Sequence, residues 1–194
     1  AMREIEQRLS VNSSYYFRLS TIDIPLMEEI HRSGGEAGYH FEEIATIAKQ
    51  KHLRTHNQVR LEMPYIRELF KRNLTNLREE TGLPITIVAS HGDFANRKLG
   101  LLNLEILKDY GFRREVNVEL EVYDEALLRH VTSEHSDMRY SPFWRHGIPF
   151  NAMQTNERVL LVLVHPGNWH SSRRENLAAD VKRLWEGLRY SMRM

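Results

Sequence analysis

The sequence contains no cysteine. That excludes a disulfide framework, a thiolate nucleophile and any zinc site built on Cys, so a bound metal would have to be held by His, Asp or Glu. It also lacks an excess of charge of either sign. Lys and Arg number 27 against 26 Asp and Glu, a formal net charge of +1, which leaves no field to steer the chain towards phosphate polymers or anionic membranes. Nucleic acid is therefore not expected as a partner. Long hydrophobic runs are missing too. The longest, Val159 to Val164, falls far short of the ~20 residues a membrane-spanning helix requires. The opening stretch Met2 to Arg8 is too charged for a secretory signal, so a cytoplasmic location is expected. No Pro/Gly/Ser-rich linker, low-complexity tract or internal repeat divides the 194 residues, and the chain reads as one domain over 1–194. What it does carry in quantity is histidine, ten in all. Neutral imidazole is both the commonest metal ligand and a proton shuttle near neutral pH.

Helical and extended patterns alternate from end to end, as in an α/β fold. Met2 to Leu9 has amphipathic helical spacing, and Ser14 to Leu19 is an aromatic-rich strand. Asp23 is placed to cap a helix that carries Pro25 in its first turn, Leu26, Met27 and Ile30 on its apolar face, and Gly34-Gly35 at its end. Glu36 to His40 forms a second strand. Helical spacing of Ile66, Leu69, Phe70, Leu74 and Leu77 predicts a helix over Pro64 to Glu80, with Pro64 near its start and Gly82 and Pro84 beyond its end. Ile85 to Ser90 is a continuous apolar, β-branched run of the kind covered on both faces. Further elements are expected as a helix around Leu99 to Tyr110, a strand at Val118 to Tyr123, an extended segment at His130 to Ser136 and a strand at Val159 to Val164. A terminal helix over Arg174 to Tyr190 would place Leu177, Val181, Leu184 and Leu188 against a sheet.

Three strand-like segments end in His40, His91 and His165, and the extended segment before Asp137 leads to that residue. Parallel sheets and barrels bind ligands at the carboxyl ends of their strands, so such residues can converge although they are distant in sequence. Arg18 follows the first strand and could hold a carboxylate through its planar fork. Glu42 and Glu43 suit a helix start, where the dipole favours acidic side chains, and Asp93 with Asn96 suits a helix cap. His52 and His56 fall in a charged stretch expected to be a solvated loop, and His130, His135 and His146 are read in the same way. Trp144 and Trp169 offer ring faces on which a sugar could stack, with packing in a core or lid as the alternative.

Four words of the chain carry a resemblance: Tyr15-Tyr16-Phe17-Arg18-Leu19, Gly35-Glu36-Ala37-Gly38-Tyr39-His40-Phe41-Glu42, Ser90-His91-Gly92-Asp93-Phe94-Ala95-Asn96 and Leu163-Val164-His165-Pro166-Gly167-Asn168-Trp169. In order and spacing the sequence resembles the polysaccharide deacetylase-like proteins of the NodB-homology, carbohydrate esterase family 4 superfamily, in the divergent branch associated with surface-polysaccharide gene clusters. The resemblance implies an α/β fold of the deformed (β/α) barrel kind, with its first strand lacking. It further implies a divalent metal, zinc by preference, and hydrolysis of an N- or O-linked acetyl group on a carbohydrate substrate. On that footing His40 and His91 are the metal ligands, His165 transfers a proton, Asp137 and Arg18 orient the site, and Trp144 and Trp169 contact the sugar. The family's paired aspartates have no counterpart here, and its second metal histidine falls at Ile44, so a metal would be held by His40, His91 and a carboxylate, with Glu42 and Glu43 as candidates to replace the missing ligands. A catalytically silent relative that binds a glycan or a protein partner is the alternative.

Overall fold

The computed structural model describes residues 2–138, 143–155, 157–169 and 173–192. They form a mixed α/β structure whose contacts group into two compact units, Ala1–Tyr123 and Asp124–Met194. Among the described residues no helix is long and apolar enough to cross a membrane.

The first unit is built on a parallel sheet of four strands, β1 (Ser14–Phe17), β2 (Glu36–Phe41), β3 (Ile87–Ser90) and β4 (Leu120–Glu121), in the order β1-β2-β3-β4. Spatial order follows chain order without reversal. After α1 (Met2–Leu9) and β1, the chain passes through α2 (Ile24–Arg32), whose first turn is capped by the Asp23 carboxylate accepting from the Leu26 N–H at 3.1 Å. From β2 it runs through α3 (Glu43–Lys51) and the long α4 (His56–Thr81) to β3. Tyr39 and Phe41 point from one face of β2 towards α4, where their rings lie 5.9 and 5.1 Å from that of Phe70. All three are essentially buried, and each such side chain contributes about 1.5–3 kcal/mol of hydrophobic free energy. Ile66, Leu74 and Leu77 continue this core along α4.

Several local expectations are corrected. The helix expected from Pro64 begins at His56, because Thr55 and Gln58 form a reciprocal capping box eight residues earlier, and Pro64 lies inside it. His56 is thus a helical residue, its Nε2–H donating to the Leu99 carbonyl at 2.6 Å, and not part of a solvated loop. The single helix expected around Leu99 to Tyr110 is replaced by α5 (Phe94–Leu99), a 3-10 segment (Asn103–Lys108) and α6 (Tyr110–Glu115). Two separate caps explain the division: Gly100 ends α5 at φ +64°, and Asp109 begins α6 by accepting from the Gly111 and Phe112 N–H groups.

The second unit has α7 (Glu125–Leu128), β5 (Ser133–Asp137), β6 (Trp144–Arg145), α8 (Pro149–Gln154), β7 (Leu160–Leu163) and α9 (Arg173–Met192). Its strands are ordered β6-β5-β7, with β5 parallel to β7 and antiparallel to β6. His135 is buried in β5, contrary to the solvated-loop expectation. Its Nδ1–H donates to the Gly147 carbonyl and its Nε2 accepts from the Ser133 hydroxyl, both at 2.8 Å. Both ring nitrogens are satisfied, which allows a polar ring to be buried at little cost. In α9 the apolar stripe expected to pack on a sheet is exposed, with Leu177, Val181, Leu184 and Leu188 all more than half accessible.

Candidate functional site

Because the four strands of the first sheet are parallel, their carboxyl ends gather Arg18 after β1, His40 and Glu42 at the end of β2, and His91 and Asp93 after β3. The Phe41 carbonyl accepts from the His91 N–H at 2.8 Å, which fixes the exits of β2 and β3 beside one another. Strand alternation then separates the side chains of β2: Tyr39 and Phe41 face the helices, whereas Gly38 and His40 face the other way.

Gly38 makes that face possible. It pairs with Tyr16 of β1, and a Cβ at this position would sit 2.7 Å from the Tyr16 ring and 2.6 Å from the Ile87 carbonyl oxygen. The glycine of the Gly-Tyr-His word is therefore required by close packing of a ring against the strand.

His40 and His91 meet edge to face, their ring centroids 4.9 Å apart. The His40 Nδ1–H donates to the Ala89 carbonyl at 3.0 Å, so its Nε2 carries the free lone pair. Burial lowers the His40 pKa to about 4, assisted by the nearby His91 and Arg18 and opposed by the Ala89 hydrogen bond. The ring is neutral at physiological pH.

Glu42 lies between the cation and the second imidazole. Its Oε1 accepts from Arg18 Nη2 at 3.0 Å, and its Oε2 lies 2.9 Å from the same nitrogen and 3.3 Å from His91 Nδ1. Neither of the Oε2 contacts is directed as a hydrogen bond. Glu42 Oε2, His91 Nδ1 and Arg18 Nε are consequently buried without a hydrogen-bond partner, an arrangement that carries a desolvation cost. Burial raises the Glu42 pKa, yet His91 and Arg18 outweigh it and hold the carboxyl down to about 2. Asp93 caps α5 by accepting from the Ala95 N–H at 2.8 Å and meets Lys49 Nζ at 3.0 Å through its other oxygen. Its expected capping role with Asn96 is thus realised as a full capping box.

Glu42, His91 and Asp93 each offer one ligand atom, and these atoms lie within 4.8 Å of one another. The donor set, one imidazole and two carboxylates, suits a divalent cation, and neither Glu42 Oε2 nor His91 Nδ1 is committed to a directed hydrogen bond. His40 stands beside this group through its contact with His91 and is not a member of it. Of the two carboxylates that could replace the missing ligands, Glu42 joins His91 here, and Asp93, legible in the sequence as a cap, completes the group. Glu43 points into the protein, where its carboxyl accepts from the Tyr39 hydroxyl at 2.5 Å and from Asn73 Nδ2 at 2.9 Å, and burial raises its pKa.

In the second unit, parallel pairing of β5 with β7 brings Asp137 and His165 together at the strand ends. The His165 Nδ1–H donates to Asp137 Oδ1 at 2.6 Å, and its backbone N–H lies 3.0 Å from both carboxylate oxygens. Trp169 Nε1–H donates to Asp137 Oδ2 at 2.9 Å. Burial works against ionisation of Asp137, but the donors from His165, Trp169 and Asn168 lower its pKa. The Asp137 side chain is only 3% exposed, whereas that of His165 is 54% exposed. An imidazole held at Nδ1 by a buried carboxylate and open at Nε2 is oriented for proton transfer. Trp144, paired with Asp137 across β5 and β6, meets Trp169 at a centroid distance of 6.4 Å and an interplanar angle of 63°.

The residues singled out from sequence thus assemble as two clusters, Arg18 with His40 and His91 in the first unit, and Asp137 with Trp144, His165 and Trp169 in the second. Searches with the chain found no matching family model, no matching curated protein and no matching solved structure.

Proposed function

We propose that the chain is a polysaccharide deacetylase-like hydrolase of deformed (β/α) barrel design, which removes an N- or O-linked acetyl group from a sugar or polysaccharide precursor. The observation that carries the reading is the convergence of Glu42, His91 and Asp93 at the carboxyl end of a parallel sheet, with one ligand atom of each within 4.8 Å of the others. Glu42, His91 and Asp93 would hold a divalent ion, zinc by preference, with the neutral His40 alongside. When bound, such an ion supplies Lewis acidity, polarising an acyl carbonyl and acidifying water. Arg18 keeps Glu42 ionised, Lys49 orients Asp93, and the Ala89 carbonyl fixes the His40 ring so that Nε2 accepts. In the other unit, Asp137 holds His165 with Nε2 free to give or take a proton.

A second reading, a catalytically silent relative that binds a glycan, is favoured by the cations already on both carboxylates, Arg18 on Glu42 and Lys49 on Asp93. Metal content of untagged protein, measured by plasma mass spectrometry, separates the two. Near-stoichiometric zinc that is lost in His91→Ala and Glu42→Gln, together with acetate release from acetylated sugars, supports the hydrolase. Absence of metal after reconstitution, with sugar binding retained, supports the silent relative.

A further inference from the structure

Asn103 opens the 3-10 segment after α5 and is fully buried, an uncommon place for an amide side chain. Its Nδ2 donates to the His91 carbonyl at 2.6 Å and to Asn96 Oδ1 at 3.0 Å, while its Oδ1 accepts from the Ala45 N–H at 3.2 Å. Asn96 is buried as well; the same Oδ1 accepts from the Asp93 N–H at 3.1 Å, and its Nδ2 donates to the Leu101 carbonyl at 2.8 Å. Each amide oxygen thus faces N–H groups and each amide nitrogen faces oxygens, which fixes both side chains against a flip. The partners of Asn103 lie on the three segments that carry Glu42, His91 and Asp93. Its bond to Ala45 explains how Glu42 joins that group. Glu42 is the N-cap of α3, yet its side chain makes no capping bond. The amide that an N-cap side chain takes is that of the second or third helical residue, and Ala45 is the third. Asn103 accepts it from outside the helix, so the Glu42 carboxylate turns instead to Arg18 and His91.

We propose that Asn103 is the positioning residue of this centre, one buried amide that sets Glu42, His91 and Asp93 in place without touching ion or substrate. The inference rests on the metal reading above and adds to it a residue outside the donor set. Ligand atoms have to stand within about 0.2 Å of their places around an ion, and the groups bonded behind them supply that precision. Truncating Asn103 removes the donor to the His91 carbonyl and the acceptor for the Ala45 N–H together. The exit of β3 and the start of α3 then lose their common anchor.

The test is the zinc affinity of the full chain, read by competition with a chromophoric chelator, alongside nitrogen-15 NMR of the His91 ring in zinc-free protein. Asn103→Ala should weaken zinc binding about 10–100-fold, the usual scale for a group bonded behind a metal ligand, and should shift the His91 ring signals. Arg78→Ala loosens the same unit through its lost bonds to Ile85, Val116 and Asn117, and should leave both readouts unchanged. Asn103→Asp keeps the acceptor for Ala45 and loses both donors, so the Ala45 amide should stay protected from hydrogen exchange while zinc binding still weakens. The same variant serves if Asn103→Ala does not fold. Zinc affinity and His91 signals that are unchanged in Asn103→Ala overturn the proposal. Equal weakening in Arg78→Ala overturns it too, because the effect would then be one of stability alone. A wild type that takes up no zinc defeats the metal reading instead; the His91 signals of zinc-free protein then decide on Asn103, their shift supporting its role and their constancy overturning it.

Discussion

Replacing Gly38 by alanine tests how tightly β1 and β2 close beneath the first cluster. The added methyl would lie 2.6 Å from the Ile87 carbonyl oxygen and 2.7 Å from two atoms of the Tyr16 ring, inside van der Waals contact on both sides. The ring can turn aside, but the carbonyl belongs to the strand and can move only with the sheet. Overpacking of this kind costs about 1–3 kcal/mol, and the backbone contact places Gly38→Ala towards the upper end, roughly 3 kcal/mol. For a chain of this size that corresponds to a midpoint lowered by about 6–12 °C. Chemical denaturation with a double-mutant cycle separates the two contributions. In a Tyr16→Ala background the ring contact is gone, so Gly38→Ala should cost about 1 kcal/mol less, an interaction energy within the range for touching side chains. A Gly38→Ala protein within about 0.5 kcal/mol of wild type would refute the close approach. Strict additivity with Tyr16→Ala would refute the ring's part in it.

Three further perturbations follow from specific contacts. Arg78 donates to the carbonyls of Ile85, Val116 and Asn117, tying the end of α4 to the approaches of β3 and β4, so Arg78→Ala should cost about 3 kcal/mol in denaturant unfolding while Arg78→Lys recovers only part. Glu43 is a buried carboxyl whose pKa is raised in the folded state, so its stabilising contribution is present at low pH and is lost as pH rises through the folded value. Glu43→Gln should remove that dependence and keep the Tyr39 and Asn73 bonds, whereas Glu43→Ala should cost about 1–3 kcal/mol by removing the acceptor that Tyr39 and Asn73 share. Asp137 has the opposite sign: its lowered pKa stabilises the fold above the unfolded value and the contribution fades as pH falls through the folded one, so Asp137→Asn should flatten the acid limb of the stability profile. The same variant should release the His165 tautomer, seen as a changed nitrogen-15 shift pattern of that ring.

The elements that were legible in the sequence are those whose local chemistry has a single solution. Asp23, Pro25 and the glycine pair bound α2, and the β-branched run before His91 can be little other than a covered strand. The start of α4 was misplaced because Pro64 is a strong helix-start signal, while the true cap, Thr55 with Gln58, lies behind a charged stretch that resembles a loop. The break near Gly100 is hard to read because Leu99 to Tyr110 has helical composition, and it takes both the Gly100 cap and the Asp109 cap to divide it. At the site level, strand-end histidines were visible because the carboxyl ends of parallel strands are a fixed address. What those histidines touch was not visible. Glu42 becomes a site residue only when Arg18 and His91, 24 positions before it and 49 after it, are folded against it. His135 looked like a surface residue because nothing local announces that Ser133 and the Gly147 carbonyl will satisfy both its nitrogens.

The central claim is that Glu42 and His91 belong to a ligand-holding centre. Zinc titration followed by isothermal calorimetry, on the wild type and on Glu42→Gln and His91→Ala, tests it most directly. The account predicts one site per chain in the wild type and its loss in both variants while the fold is retained. Binding of zinc that is equal in all three proteins, or absent from the wild type, would contradict it.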